Sequence, residues 1–540
     1  MSILYQSLES DGRIQEFYSE IPSGTTMEAH VIPNCRIQQD KGETSSLATF
    51  KSNYEKLPHD LKSCLDYCYI VSNQYAMKKE EVVRLLLAQG LIPEKPEEIM
   101  EDTVENIIKE LIGLGMLQEH YHFYSKIQVS EFYEKSCLVK VKEQDFVSKA
   151  ANSPIHAFID NDGQDLHLPP SFKSLLIRSL FAFVRDCDDH INGAFSQVCL
   201  QTICGLQFLL VLDLYGVVEY LPDEVGDLIH LKYLCLSKSN IKKLPPTIAN
   251  LQKLQTLEVH NCSKLFELPV EILNIKQLRH LLLCDIFEYD CGIRVPMGIG
   301  KLENLQTCTG IYAGTGIASE LSNLTQLRKL HVLDVSEDHA DELFASIRKL
   351  ENLVCLSLDA EEVGNDTLLP ELAPFSPPPH LQELVLRGGL VELPNWLLSM
   401  ENLTTLVLGR SDLLEEPSSD LQFLPKLKHL RLWEAYRAKI IGKEFCEAGG
   451  FSELETLTIA SSDLVEWTEI VNGAFPSLKR LQFWNCYNLR FLPEGLQNIS
   501  TIQELYITHL HGDLSRRLSS KENYKIKQIP KLYFWDMSSS

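Results

Sequence analysis

No stretch of the 540 residues approaches 18 consecutive apolar positions, so an ordinary helical membrane span is not expected. The opening, MSILYQSLESDGRIQEF, has no basic patch leading into an apolar run, and a secretory leader is not expected either. Positive charge is in short supply: 50 Lys plus Arg stand against 74 Asp plus Glu, a formal charge of -24. A field of that sign repels phosphate backbones, which argues against nucleic-acid binding. The 15 cysteines are an odd number and include no C-x-x-C pair. They read as small buried hydrophobes in a reducing compartment, which points to the cytoplasm. His120, His122 and Cys137 are too loosely placed to read as a metal set. HExxH and GxSxG are missing. So is G-x-x-x-x-G-K-[ST], the loop whose amides and lysine hold nucleotide phosphates. Gly300-Lys301 and Gly442-Lys443 lack both the earlier glycine and the following Ser or Thr. A non-enzyme without cofactor or metal is expected.

What the chain has instead is a repeat. L-x-x-L-x-L begins at Leu209, Leu231, Leu254 and Leu278, and again at Leu327, Leu353, Leu381, Leu403, Leu427, Leu454 and Leu478. A variant at Ile502 and a degenerate unit at Leu305 complete thirteen units, spaced by 22 to 28 residues. A period in the twenties with this motif is the signature of leucine-rich repeats. One strand with its return segment cannot bury its leucines alone, whereas a stack makes a continuous core. The return segments carry a Leu-Pro element, as in YLPDEVGDL, KLPPTIANL and ELPVEILNI. Asn261 and Asn485 follow their strands at positions where an asparagine side chain can hydrogen-bond the turning backbone. The expected fold class is α/β: a leucine-rich repeat solenoid, or horseshoe, preceded by a small α-helical winged-helix-like domain.

The front of the chain changes period. EEIMEDTVENIIKELIGLG predicts an amphipathic helix with Ile99, Val104, Ile107, Ile108 and Leu111 on one side, ended by Gly113 and Gly115. MLQEHYHFYSKIQV then predicts a short hairpin, or wing. The helix KKEEVVRLLLAQG is mixed in charge, unlike a DNA-reading helix. Leu57, Pro58, Leu61, Lys62, Cys64, Tyr67 and Cys68, followed by Arg84, Leu85, Ala88, Gly90 and Ile92, resemble the winged-helix part of the NB-ARC module. That module belongs to plant nucleotide-binding leucine-rich repeat (NLR) disease resistance proteins, and the resemblance covers the chain from about Leu47 to the end of the repeats. Asp66, Leu87 and VSNQY depart from the family pattern. The resemblance implies a nucleotide-sensing Met/Val-His-Asp motif after KSC, but Lys140 and Val141 stand where His and Asp belong. The reading is therefore of a truncated family member that lacks the nucleotide-binding part.

The expected layout is a poorly structured lead over residues 1–44 and a winged-helix-like domain over 45–135. A connector over 136–174, repeats over 175–525 and a tail over 526–540 complete it, with the region around RRLSSKENYKIKQIPKLYFW closing the end of the solenoid. The expected function is recognition or regulation of a protein partner, a pathogen effector or a host protein, in plant defence. A signalling scaffold outside immunity, or a fragment of an ATP/ADP-switched receptor, are the alternatives. Strand alternation sends the residues between the motif leucines to the concave face. That places His429, Arg431 and Trp433, then Arg480, Gln482 and Trp484, then Tyr506, on one surface. Tryptophan, tyrosine and arginine are the residue types enriched where binding energy concentrates, and these seven form the expected partner site.

Overall fold

The computed structural model describes residues 2–3, 43–133 and 155–535, apart from 73–76, 94–97, 122–124, 131, 162–167, 169–171, 174–175, 185–194, 287–291, 315, 362–367, 374, 391, 412, 414–417, 436–437 and 510. Lys140 and Val141 and most of the expected lead lie outside the described residues, as do His122 and Cys137. Two compact units divide between Pro296 and Met297.

The first unit opens with four helices: α1 (Glu43–Lys56), α2 (His59–Ser72), α3 (Lys79–Gln89) and α4 (Met100–Gly113). Helix α4 carries Glu101 and Asp102 in its first turn, where the positive end of the helix dipole favours them. It buries Met100, Val104, Ile108 and Leu111. Ile99 instead stands 43% exposed as the residue before the helix, because the apolar stripe begins one position later, at Met100. Gly115, at φ 72°, takes the left-handed turn that leads into the wing. There Leu117–Tyr121 and Ser125–Val129 pair antiparallel, and Met77–Lys78 adds to the second of them. Helices and wing share one core built around Cys64, Tyr67, Cys68, Leu85, Val104 and Ile127.

The same unit continues as a parallel sheet. Ile155–Asn161, Ile177–Val184, Val211–Tyr215, Tyr233–Cys235, Thr256–Glu258 and His280–Leu282 pair in chain order. The first of these lies within the stretch read as a connector; its Phe158 stacks on Phe181 at 5.0 Å. After three of these strands, Val211–Tyr215, Tyr233–Cys235 and Thr256–Glu258, the Leu-Pro element turns the chain into its return segment. Pro222, Pro245 and Pro269 hold extended backbone at φ between -68° and -74°, and each is followed by one 3-10 turn.

The second unit repeats the plan. Thr307–Tyr312, Lys329–Val335, Cys355–Ala360, Glu383–Arg387, Thr405–Gly409 and His429–Trp433 pair parallel in order. Thr456–Ala460, Arg480–Trp484, Glu504–Thr508 and Lys531–Trp535 continue the sheet. The last strand falls in the stretch read as a tail, where Tyr533 stacks on Tyr506 with centroids 4.3 Å apart. The motif leucines Leu406, Leu430, Leu457 and Leu481 are fully inaccessible.

The turns after two of the strands are built on left-handed backbone. Asn261 and Asn485 adopt left-handed backbone, at φ 58° and 50°. The next residues, Cys262 and Cys486, point their thiols at Leu236 O and Ile459 O of the preceding repeat, at 3.2 and 3.6 Å. Ser411 donates in the same way to Gly388 O, at 3.1 Å. In each case the buried small donor lies one residue beyond the residue that takes the left-handed backbone, which is Asn261, Asn485 or Arg410.

Candidate partner-binding surface

All seven expected site residues lie on three strands of the second unit, in the register their spacing predicts. His429, Thr456, Arg480 and Glu504 face one another along the sheet, and so do Arg431, Thr458, Gln482 and Tyr506. Trp433 and Trp484 flank Ala460. Their accessibility differs from the expectation. Trp433, Trp484, His429 and Arg480 are half-buried, whereas Arg431, Gln482 and Tyr506 are only 3%, 1% and 4% exposed. Gln482 is held by Thr458, whose hydroxyl donates to its Oε1 at 2.8 Å. Arg480 donates through Nε to Glu504 Oε2 at 2.6 Å, and Lys531 Nζ approaches Glu504 Oε1 at 3.1 Å. Burial works to raise the Glu504 pKa, but these two cations hold it below the usual range. The Tyr506 hydroxyl donates to the same carboxylate at 3.2 Å. Burial, reinforced by Arg431, pushes His429 down to about 3, so its imidazole is neutral at physiological pH. The middle row is thus largely turned inward, with Gln482 Nε2 buried and Trp433 and Trp484 half-buried at its edge.

The first unit holds a second constellation, which the sequence reading missed. Helix α3 and its neighbours seat on the strand face of the early repeats. Arg84 donates to Glu258 Oε2 at 3.3 Å, and Tyr233 OH donates to the same oxygen at 2.8 Å. His260 Nε2 lies 3.2 Å from Glu258 Oε1. Lys78 pairs with Asp285. Arg279 donates to Glu101 Oε2 at 2.6 Å, and His280 Nε2 lies 3.2 Å from its Oε1. Gln89 donates to Ser179 Oγ at 2.7 Å, and Tyr67 OH and His156 Nδ1 lie 3.1 and 3.0 Å from it. Tyr67 and Arg84 are two of the residues on which the family resemblance rests, and here they tie the helices to the repeats. Tyr233, Glu258 and His280 occupy the intervening positions of L-x-x-L-x-L, so their polarity was the available signal.

Glu258 is buried, which raises its pKa, yet Arg84 and then His260 hold it well below the carboxylate range. Nearby Glu81 is pushed up to about 7 by burial and by Glu258, with Arg84 opposing. A carboxyl raised in the folded state stabilises the fold below its ordinary value of about 4.5, and this stability is lost as pH rises through the folded value. The melting temperature of the first unit should therefore fall between about pH 5 and pH 8 by an amount that Glu81→Gln removes. Thermal melts across that range check it; identical slopes for both proteins would refute it. Among the described residues, no group of three or more His, Cys, Asp or Glu is placed to hold a metal ion, and no helix is long and apolar enough to cross a membrane.

Comparison with known proteins agrees with this architecture. The family model described as "Leucine-rich repeat region" matches residues 184–528, and "Disease resistance protein Winged helix domain" matches residues 70–135. The chain is a leucine-rich repeat protein that carries the winged helix of disease resistance proteins. "Probable disease resistance RPP8-like protein 2" of Arabidopsis thaliana is 26% identical over 94% of this chain and 57% of its own length. "Disease resistance protein RPP8" of the same plant is 27% identical, over 89% of this chain and 54% of its own. The chain thus spans a little over half the length of these relatives. Among solved structures, a leucine-rich repeat protein of Leptospira interrogans covers 72% of this chain and 98% of its own, at 21% identity and a TM-score of 0.45. In this chain, then, the winged helix and the repeats meet through the Arg84–Glu258 and Glu101–Arg279 pairs.

Proposed function

We propose that this disease-resistance chain is a non-catalytic recognition protein of the plant cytoplasm that binds a protein partner through the strand face of its C-terminal repeats. The observation that carries the reading is the pair Trp433 and Trp484, in register on either side of Ala460 and half-buried. The partner is a pathogen effector or a host protein. Trp433→Ala with Trp484→Ala should abolish recovery of partners from leaf extract and shift the melting temperature by only a few degrees. Partners identified by mass spectrometry and recovered equally by the double variant would refute the site.

The family resemblance raises a second reading, a part of an ATP/ADP-switched receptor, favoured by the winged-helix match over residues 70–135. The chain contains no G-x-x-x-x-G-K-[ST] string. Purified protein is expected neither to bind nor to hydrolyse ATP. Titration with labelled ADP and ATP decides it, and saturable micromolar binding would overturn the expectation.

A further inference from the structure

The end of the solenoid reverses the charge of the rest. Residues 511–531 hold six Lys or Arg against two Asp or Glu, in a chain whose formal charge is -24. Within them runs SRRLSSKEN, in which Arg516 and Arg517 stand three and two residues before Ser519. Both arginines belong to the helix Gly512–Leu518, which follows the strand Glu504–Thr508. Ser519 is the C-cap of that helix, and Ser519 and Ser520 are exposed. Their hydroxyls donate back to Ser515 O at 2.9 Å and to Arg516 O at 2.6 Å. A helix of seven residues is too short to hold by its own bonds and relies on packing, here of the buried Leu514 and Leu518. Its last turn therefore belongs to the low-stability end of the unit. When that turn opens, solvent meets an extended serine with arginines on its N-terminal side. This is the charge pattern that the acidic clefts of arginine-directed serine kinases read.

The same helix end is where an added charge has a consequence. Arg517 Nη1 donates to Glu522 Oε1 at 2.8 Å, and its guanidinium lies 4.3 Å from the centroid of the Phe491 ring. Glu522 Oε2 lies 3.1 Å from Nζ of Lys525, a residue only 3% exposed. That ammonium donates to Leu492 O at 2.8 Å and pairs with Glu494 Oε1 at 2.9 Å. Glu522 is thus the anion at the centre of a clasp that holds the cap on residues 491–494 of the preceding repeat. A phosphoryl group on Ser519 brings a charge of about -1.5 to -2 to a position three residues from Glu522. It also stands at the helix end whose dipole is already negative. Arg516 lies one turn before Ser519 and can pair with the group. Its side chain is 81% exposed and already pairs with Asp513, and an ion pair so open to water contributes little. Repulsion of Glu522 is the larger effect.

We propose that Ser519 is a phosphorylation site for an arginine-directed serine kinase, and that the phosphoryl group loosens the Arg517–Glu522–Lys525 clasp of the C-terminal cap. Ser519 Oγ attacks the γ-phosphorus of ATP and its proton passes to a carboxylate of the kinase. The bond from that phosphorus to the bridging oxygen breaks, and ADP leaves. The site is separate from the tryptophan surface, and either can fail without the other.

The purified full chain is incubated with ATP and cyclic-AMP-dependent protein kinase, as a probe of this kinase class, and the phosphate is mapped by fragment-ion mass spectrometry. Ser519 should be labelled, and Arg516→Gln should slow its labelling about tenfold or more. Arg516 lies outside the clasp, and a variant that misfolded would expose the serine rather than hide it, so slower labelling reports recognition. Hydrogen exchange of the phosphorylated chain should quicken about tenfold over residues 512–529 and stay unchanged over residues 405–460. Ser519→Ala treated with the same kinase should exchange like the untreated chain. Phosphate absent from Ser519, found on Ser520 alone, or added equally fast to the Arg516→Gln variant overturns the site. Unchanged exchange in a chain that carries the phosphate overturns its coupling to the cap.

Discussion

Replacing Leu457 by alanine should cost about 2–5 kcal/mol of stability in the second unit. Leu457 is fully inaccessible and pairs in register with Leu430 on one side and Leu481 on the other, both equally buried. Truncation removes the transfer free energy of the lost carbons and leaves a cavity. Three stacked strands define its walls, so relaxation is limited to small shifts. Denaturant titration followed by far-ultraviolet circular dichroism measures the loss. A change under about 1 kcal/mol would show that the site collapses freely and that the stack is not close-packed there.

Arg84→Met should be as costly in the first unit, about 3–5 kcal/mol, for a different reason. Arg84 and Glu258 are 6% and 7% exposed. Removing the cation leaves a carboxylate that burial penalises, with Tyr233 and His260 still against it. The double variant Arg84→Met with Glu258→Gln should recover most of the loss, because no unpaired charge then remains inside. Failure of that rescue would mean that packing of the arginine stem, rather than its charge, holds helix α3 on the repeats.

Legibility in the sequence followed the range of the interactions. The repeats could be read because each motif leucine answers to a partner one period away. Alternation along a strand then placed Trp433, Ala460 and Trp484 side by side in the correct order. Accessibility was not readable in the same way. Whether Gln482 faces out depends on Thr458, and whether Arg480 is available depends on Glu504 and Lys531, so neighbouring strands decide what alternation alone cannot. The seating of the winged helix left no periodic trace at all. Its contacts join single residues from distant parts of the chain, and Arg84 and Tyr67 looked like ordinary members of a helical motif.

Those distances have a consequence for biosynthesis. Strands of the second unit meet partners that leave the ribosome one repeat later, as Thr456 meets Arg480 and Arg480 meets Glu504. The winged helix must wait. Tyr67 contacts a residue 112 positions on, Arg84 one 174 on, Glu101 one 178 on and Lys78 one 207 on. At 5–20 residues per second, translation takes roughly 10–40 s to cover the longest of these spans. For that interval Arg84, Glu101 and Lys78 have no repeats to neutralise them, and the helices are a nascent domain with charges displayed on one side. A chaperone that grips charged helical surfaces would have its window then, and would lose it when Asp285 emerges.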